Sequence, residues 1–119
     1  MRFEMCLGVA PGYGVQFQGD VGAAASAAWQ EAAEQVWRES KIYIGAVVTP
    51  ARVVYRQEWG CPVGGEICVM IVGHGNPTFI KDRAPWDAAV RRCVEIVKGI
   101  LDQKTVTAYL DSGEVIDLR

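Results

Sequence analysis

A chain of 119 residues, half of them apolar and 22% charged, has the composition of one globular domain and not of a disordered chain. Its net charge of −2, with both signs mixed along the chain, excludes the basic stripe of a nucleic-acid binder. No apolar run approaches a membrane span, and no charged region precedes a long apolar core at the N-terminus, so a soluble, cytoplasmic protein with no nucleic-acid or membrane partner is expected.

Residues 3–9 alternate, Phe3, Met5, Leu7 and Val9 against Glu4, Cys6 and Gly8, which predicts a strand with one apolar face. The glycine-rich stretch from Pro11 to Asp20 lacks the spacing of a dinucleotide fingerprint and the Lys-Ser/Thr of a P-loop, so it reads as a flap. Residues 22–39 predict an alanine-rich helix, capped by Asp20 or Ser26, with Trp29, Ala32, Ala33, Val36 and Trp37 on its buried side. Lys41 ends it. IYIGAVVT, residues 42–49, predicts a second strand that stops at Pro50, which has no donor for a ladder.

The central stretch runs over residues 53–79. The β-branched Val53 to Tyr55 leads into Trp59, Gly60, Cys61, Pro62, Gly64 and Gly65, and the apolar run Ile67 to Val72 leads out to Gly73-His74-Gly75-Asn76-Pro77. This predicts a hairpin, or two strands joined by a structured loop. Residues 85–101 predict a second helix with Pro85 in its first turn and Ala89, Val90, Cys93, Val97, Ile100 and Leu101 buried. Thr105 to Leu110, a turn at 111–114, and Val115 to Leu118 complete the chain. The expected architecture is α+β: two β-α-β units forming a mixed four-stranded sheet with two helices on one face. Because the 67–72 strand is apolar on both sides, the other face is expected to be buried in a homo-oligomer.

The four cysteines match no zinc spacing and are expected as thiols, with Cys6, Cys68 and Cys93 buried and only Cys61 in a loop. No metal or cofactor is expected. His74, between two glycines at a strand end, is the candidate general acid or base. Cys61 is a candidate nucleophile where the loops bring His74 or a cation beside it. Glu58 and Glu66 flank the connecting loop as candidate paired carboxylates. Arg2, Lys41, Arg52 and Arg56 are candidate holders of a small organic acid, with Trp59 as an apolar wall.

The layout resembles the tautomerase superfamily, to which 4-oxalocrotonate tautomerase and macrophage migration inhibitory factor belong. The likeness lies in IYIGAVVTPARVVYRQEWGCPVGGEI: a β-branched strand ending at Val48-Thr49-Pro50, and Trp59-Gly60 followed by Gly64-Gly65. The resemblance implies a trimer, Trp59 as the aromatic wall of the site, Lys41 at the mouth of the second strand, and a small aromatic or carboxylate ligand. That family's base is an N-terminal proline, and Met1-Arg2 stands in its place, so proton-transfer chemistry altered or absent is implied. The alternative is a non-catalytic small-molecule-binding or structural oligomeric module of ferredoxin-like βαββαβ fold.

Overall fold

The structure, a computed structural model, describes residues 1–9 and 19–119. The expected flap lies outside them except for Gly19 and Asp20.

Strand β1 spans Arg2–Leu7, and its alternation buries Phe3, Met5 and Leu7. Helix α1 spans Val21–Ser40. Asp20 caps it by accepting the Ala23 N–H at 3.0 Å, and Lys41 closes it in the left-handed region at φ 60°, donating its N–H to the Trp37 carbonyl at 2.9 Å. Strand β2 is Val47–Val53, five residues later than the pattern predicts. The reason is local: the Trp29 indole N–H takes the Ile44 carbonyl at 2.9 Å, so this segment bonds to α1 instead of to a strand. Pro50 lies inside β2 and does not end it, because β2 is an edge strand, where a missing donor can face outward.

After a 3-10 turn at Gln57–Trp59, strand β3 runs Glu66–His74, and helix α2 runs Arg83–Ile100 with Asp82 accepting the Ala84 N–H. Strands β4 (Val106–Leu110) and β5 (Val115–Leu118) follow. The sheet order is β2-β3-β1-β4-β5, and every pairing is antiparallel. The α+β class therefore holds, while the mixed four-stranded sheet is corrected to an antiparallel five-stranded one. β3 inserts between β1 and β2, from Arg2↔His74 to Leu7↔Val69 on one side and from Val47↔Val72 to Val53↔Glu66 on the other. Each helix thus links two parallel strands with a third strand between them, so both β-α-β units are split and not built on neighbouring strands.

Both helices pack on one face. Trp29, Ala32, Ala33 and Val36 of α1 and Trp86, Val90, Cys93, Val94 and Val97 of α2 close over Met5, Val69, Ile71, Ala108 and Ile116. Phe3 sits at the centre, stacked on Trp29 at 5.3 Å and tilted against Trp86 at 6.1 Å. Gly73 makes this approach possible, since a Cβ there would meet the Gly45 carbonyl oxygen at 2.6 Å and the Phe3 ring.

The helix-free face is more polar than the sequence suggests. Tyr109, Val47 and Val115 are exposed there, but Arg2, Glu4, Thr107 and Asp117 interleave with them, and Thr107 donates to Asp117 at 3.0 Å. The Met1 amine stands 3.6 Å from Asp111, which also pairs with Arg83. That guanidinium holds the Asp111 carboxyl well below the usual carboxylate range.

Candidate functional site

The connection between β2 and β3 builds itself from turn chemistry. Beyond the Val53↔Glu66 pair the chain leaves the ladder, and Gly60, Gly64 and Gly65 adopt φ of 107°, 87° and 88°. At Gly65 a Cβ would also stand 2.9 Å from the Val53 carbonyl oxygen, so no other residue fits without a shift. Cys61 tucks under the turn: it is 6% exposed, its Sγ accepts the Tyr55 N–H at 3.5 Å, and its thiol donates to the Pro62 carbonyl at 3.4 Å. Arg56 and Glu58 pair at 2.8 Å on the outside. Trp59 is 75% exposed, with Val54 and Val63 exposed beside it in the chain.

Strand alternation places Tyr55 on the same side as Val53, and Val53 lies opposite Glu66. The Tyr55 hydroxyl accordingly donates to Glu66 Oε2 at 3.0 Å, with both residues half-buried. The arrangement presents a positioned carboxylate, a phenol and a bare indole on one projecting hairpin. A carboxylate and aromatic faces attract an organic cation.

The sequence-predicted residues fall into separate places. Trp59 and Cys61 belong to the hairpin connection, and Arg52 is exposed near the end of β2, opposite Ile67. His74 closes β3 at its far end, eight residues beyond Glu66, about 26 Å along the strand. It stands opposite Arg2, which pairs with Glu4 at 3.0 Å. Cys61 and His74 thus do not converge within one chain. Lys41 caps α1 and lies 5.6 Å over the Trp37 ring. Glu58 pairs with Arg56, so Glu66 has Tyr55 as its partner and not a second carboxylate. Among the described residues no three His, Cys, Asp or Glu side chains gather to hold a metal ion. Sequence reasoning missed Tyr55; the signal was its parity with Val53 across the turn.

Two depressions lie on the helix side. One, of about 350 Å³, is lined by Ser26, Trp29, Gln30, Tyr43, Gly45, Ala46 and Val48. The other, of about 270 Å³, lies between the helices and is crossed by the Glu39–Arg92 ion pair. Neither includes Tyr55, Trp59 or Glu66.

Residues 1–116 match the model of a family described as SAM lyase. The chain belongs to the SAM lyase family. A solved phage SAM lyase in complex with S-methyl-5′-thioadenosine has the same fold, at 10% identity and a TM-score of 0.56, over 98% of this chain and 87% of that one. No relative is found among the curated proteins. These findings overturn the tautomerase resemblance: the family match covers nearly the whole chain, whereas the likeness rested on a hairpin with Gly-Gly, a common device. Proton transfer of the tautomerase kind and the non-catalytic module are both set aside with it. The phage relative is bound to a small organic molecule, while no helix among the described residues is long and apolar enough to cross a membrane.

Proposed function

We propose that this chain cleaves S-adenosylmethionine, releasing S-methyl-5′-thioadenosine. The match to the SAM lyase family over residues 1–116 carries this reading. The thioadenosine found in the phage relative is what remains of S-adenosylmethionine once the bond from its sulfonium sulfur to Cγ of the amino-acid arm breaks. A lyase adds no water, so the electrons come from the substrate itself. Its carboxylate can attack Cγ, closing a five-membered lactone as the neutral thioether leaves.

That cyclisation needs no nucleophile from the protein, so it does not draw on Cys61 or His74. It consumes a positive and a negative charge together, and a site poor in water favours such a step. The work left to the protein is to fix the arm in its closing conformation. Glu66, oriented by the Tyr55 hydroxyl, suits the substrate ammonium, and the aromatic faces of Tyr55 and Trp59 suit the sulfonium and the adenine. Incubating the purified protein with S-adenosylmethionine should yield S-methyl-5′-thioadenosine in amounts far above its spontaneous formation, read by liquid chromatography. A yield no greater than the protein-free control overturns the assignment.

Self-association belongs to the same proposal. Among the described residues the hairpin offers a carboxylate and an indole without enclosing walls, and Val54, Trp59 and Val63 are 76%, 75% and 87% exposed. A nucleoside-sized ligand is ordinarily buried by most of its surface, so we assign the missing walls to a second copy of this chain. A cytoplasmic site of action fits a chain whose four cysteines are thiols. Light scattering coupled to size exclusion should give a multiple of 13.0 kDa, with a trimer as the stoichiometry checked first. A monomer at micromolar concentration sinks the shared site.

A further inference from the structure

Cys6 and Cys68 lie on the helix-free face of the sheet, on the adjacent strands β1 and β3. Cys6 is opposite Met70, so Cys68, two residues away, is its diagonal neighbour. Their sulfurs are 2.8 Å apart, with the Cys6 thiol donating to Cys68. A disulfide bond measures about 2.05 Å, so a small approach of two side chains separates this contact from a covalent link. Cys6 is exposed, whereas Cys68 is 3% exposed. One sulfur can therefore meet a reagent while the other waits behind it, which is how an attacking and a resolving thiol are arranged.

We propose that Cys6 and Cys68 are an oxidative modification site, a dithiol that a peroxide converts reversibly to a cross-strand disulfide. The Cys6 thiolate attacks one peroxide oxygen, breaking the O–O bond and releasing water, and leaves a sulfenic acid on Cys6. Cys68 then attacks that sulfur and displaces the hydroxyl group as a second water. Two thiols lose two hydrogens and two electrons, and the peroxide is reduced to two waters. Diagonal neighbours stand about 7–8 Å apart at Cα, beyond the usual reach of a disulfide. The bond therefore pulls the strands together, and a strained bond is one that thiols reduce readily. Cys6 is exposed as a residue but its sulfur is partly covered, and that desolvation, followed by the Cys68 contact, pushes the thiol up to about 12, so it is a slow nucleophile and the pair stays reduced against weak oxidants. Neither Cys61 nor Cys93 has such a partner: Cys61 is engaged by Tyr55 and Pro62, and Cys93 is buried in the helix-sheet core.

The test uses the reduced, folded chain treated with hydrogen peroxide, alkylated and mapped without reduction. Trypsin with a glutamate-specific protease is required, because a cut after Glu66 separates Cys61 from Cys68. The expected product is a single linked pair of peptides carrying Cys6 and Cys68, lighter by two hydrogens and returned to four free thiols by dithiothreitol. Peroxide given to the unfolded chain should scatter the pairings among all four cysteines. In Cys68→Ser the Cys6 sulfenic acid should persist long enough to be trapped by dimedone. Should that variant fail to fold, the map of the unsubstituted protein decides alone. The proposal is overturned by a link from Cys6 to Cys61, to Cys93 or to another chain, by Cys6 ending as a sulfinic acid beside a free Cys68, or by a pair that stays reduced throughout.

Discussion

Glu66→Gln is expected to slow S-adenosylmethionine cleavage about thirtyfold to a thousandfold, the equivalent of roughly 2–4 kcal/mol, while leaving the fold intact. The substitution keeps the side-chain volume and an acceptor for the Tyr55 hydroxyl at 3.0 Å, but removes the charge that meets the substrate ammonium. Tyr55→Phe keeps the ring and the charge and loses only the hydroxyl that orients the carboxylate, so a loss nearer tenfold is expected. The ordering is the useful part. A pair that merely clamps the hairpin would lower the unfolding midpoint for both variants and leave the turnover of the folded fraction unchanged. Circular dichroism and steady-state rates on the same preparations separate the two, and a Glu66→Gln protein that turns over at the unsubstituted rate removes Glu66 from the site.

The elements that the sequence shows plainly are those whose signals are local. Asp20 caps α1 and Lys41 ends it within a residue of the periodic limits, and the turn at Asp111–Glu114 separates β4 from β5 where the pattern places it. Strand β2 slides because its fate is decided elsewhere. A buried indole on α1 claims the Ile44 carbonyl, and no strand pattern in residues 42–49 encodes that. Whether Pro50 ends a strand depends likewise on whether its neighbour is another strand or solvent, a property of the whole sheet. The same holds for strand order. Periodicity says which residues face a core, but not that β3 threads between β1 and β2, and that insertion separates this fold from a pair of β-α-β units built on neighbouring strands.

The candidate site was half legible for a related reason. The residues that sequence singles out are chemically conspicuous ones: the only histidine, a loop cysteine, a loop tryptophan. His74 and the hairpin connection fall at opposite ends of β3, and Cys61 is buried by the turn that made it noticeable. Nothing local marks Tyr55, which ends the strand-forming run Val53 to Tyr55. Its pairing with Glu66 follows from register, and register becomes readable only once Val53 is known to stand opposite Glu66. Cys6 tells the same story from the other side. Its place in an apolar alternation suggested burial, yet it lies exposed on the face that carries no helix, two register positions from Cys68.

Trp86→Ala is expected to destabilise the protein by about 3–5 kcal/mol, the range for truncating a buried aromatic. Trp86 is 1% exposed, lies against Phe3 at 6.1 Å, and its indole nitrogen comes so near Gly75 that a Cβ there would be 2.9 Å away. These neighbours, Phe3 of β1 and Gly75 just after β3, are tied to the sheet, so neither can move into the vacated space without pulling on a strand. Trp37 gives the contrast. It shares the buried periodicity of α1 in sequence, but it is 42% exposed and its main partner is the Lys41 ammonium above its ring. Trp37→Ala is expected to cost under about 1 kcal/mol. Urea unfolding of the three proteins at one protein concentration reads both values, with a lower midpoint and an unchanged slope marking a true stability loss. Equal losses for the two tryptophans would place Trp37 in the core, where helical spacing alone had put it, and would contradict the packing of α1 described here.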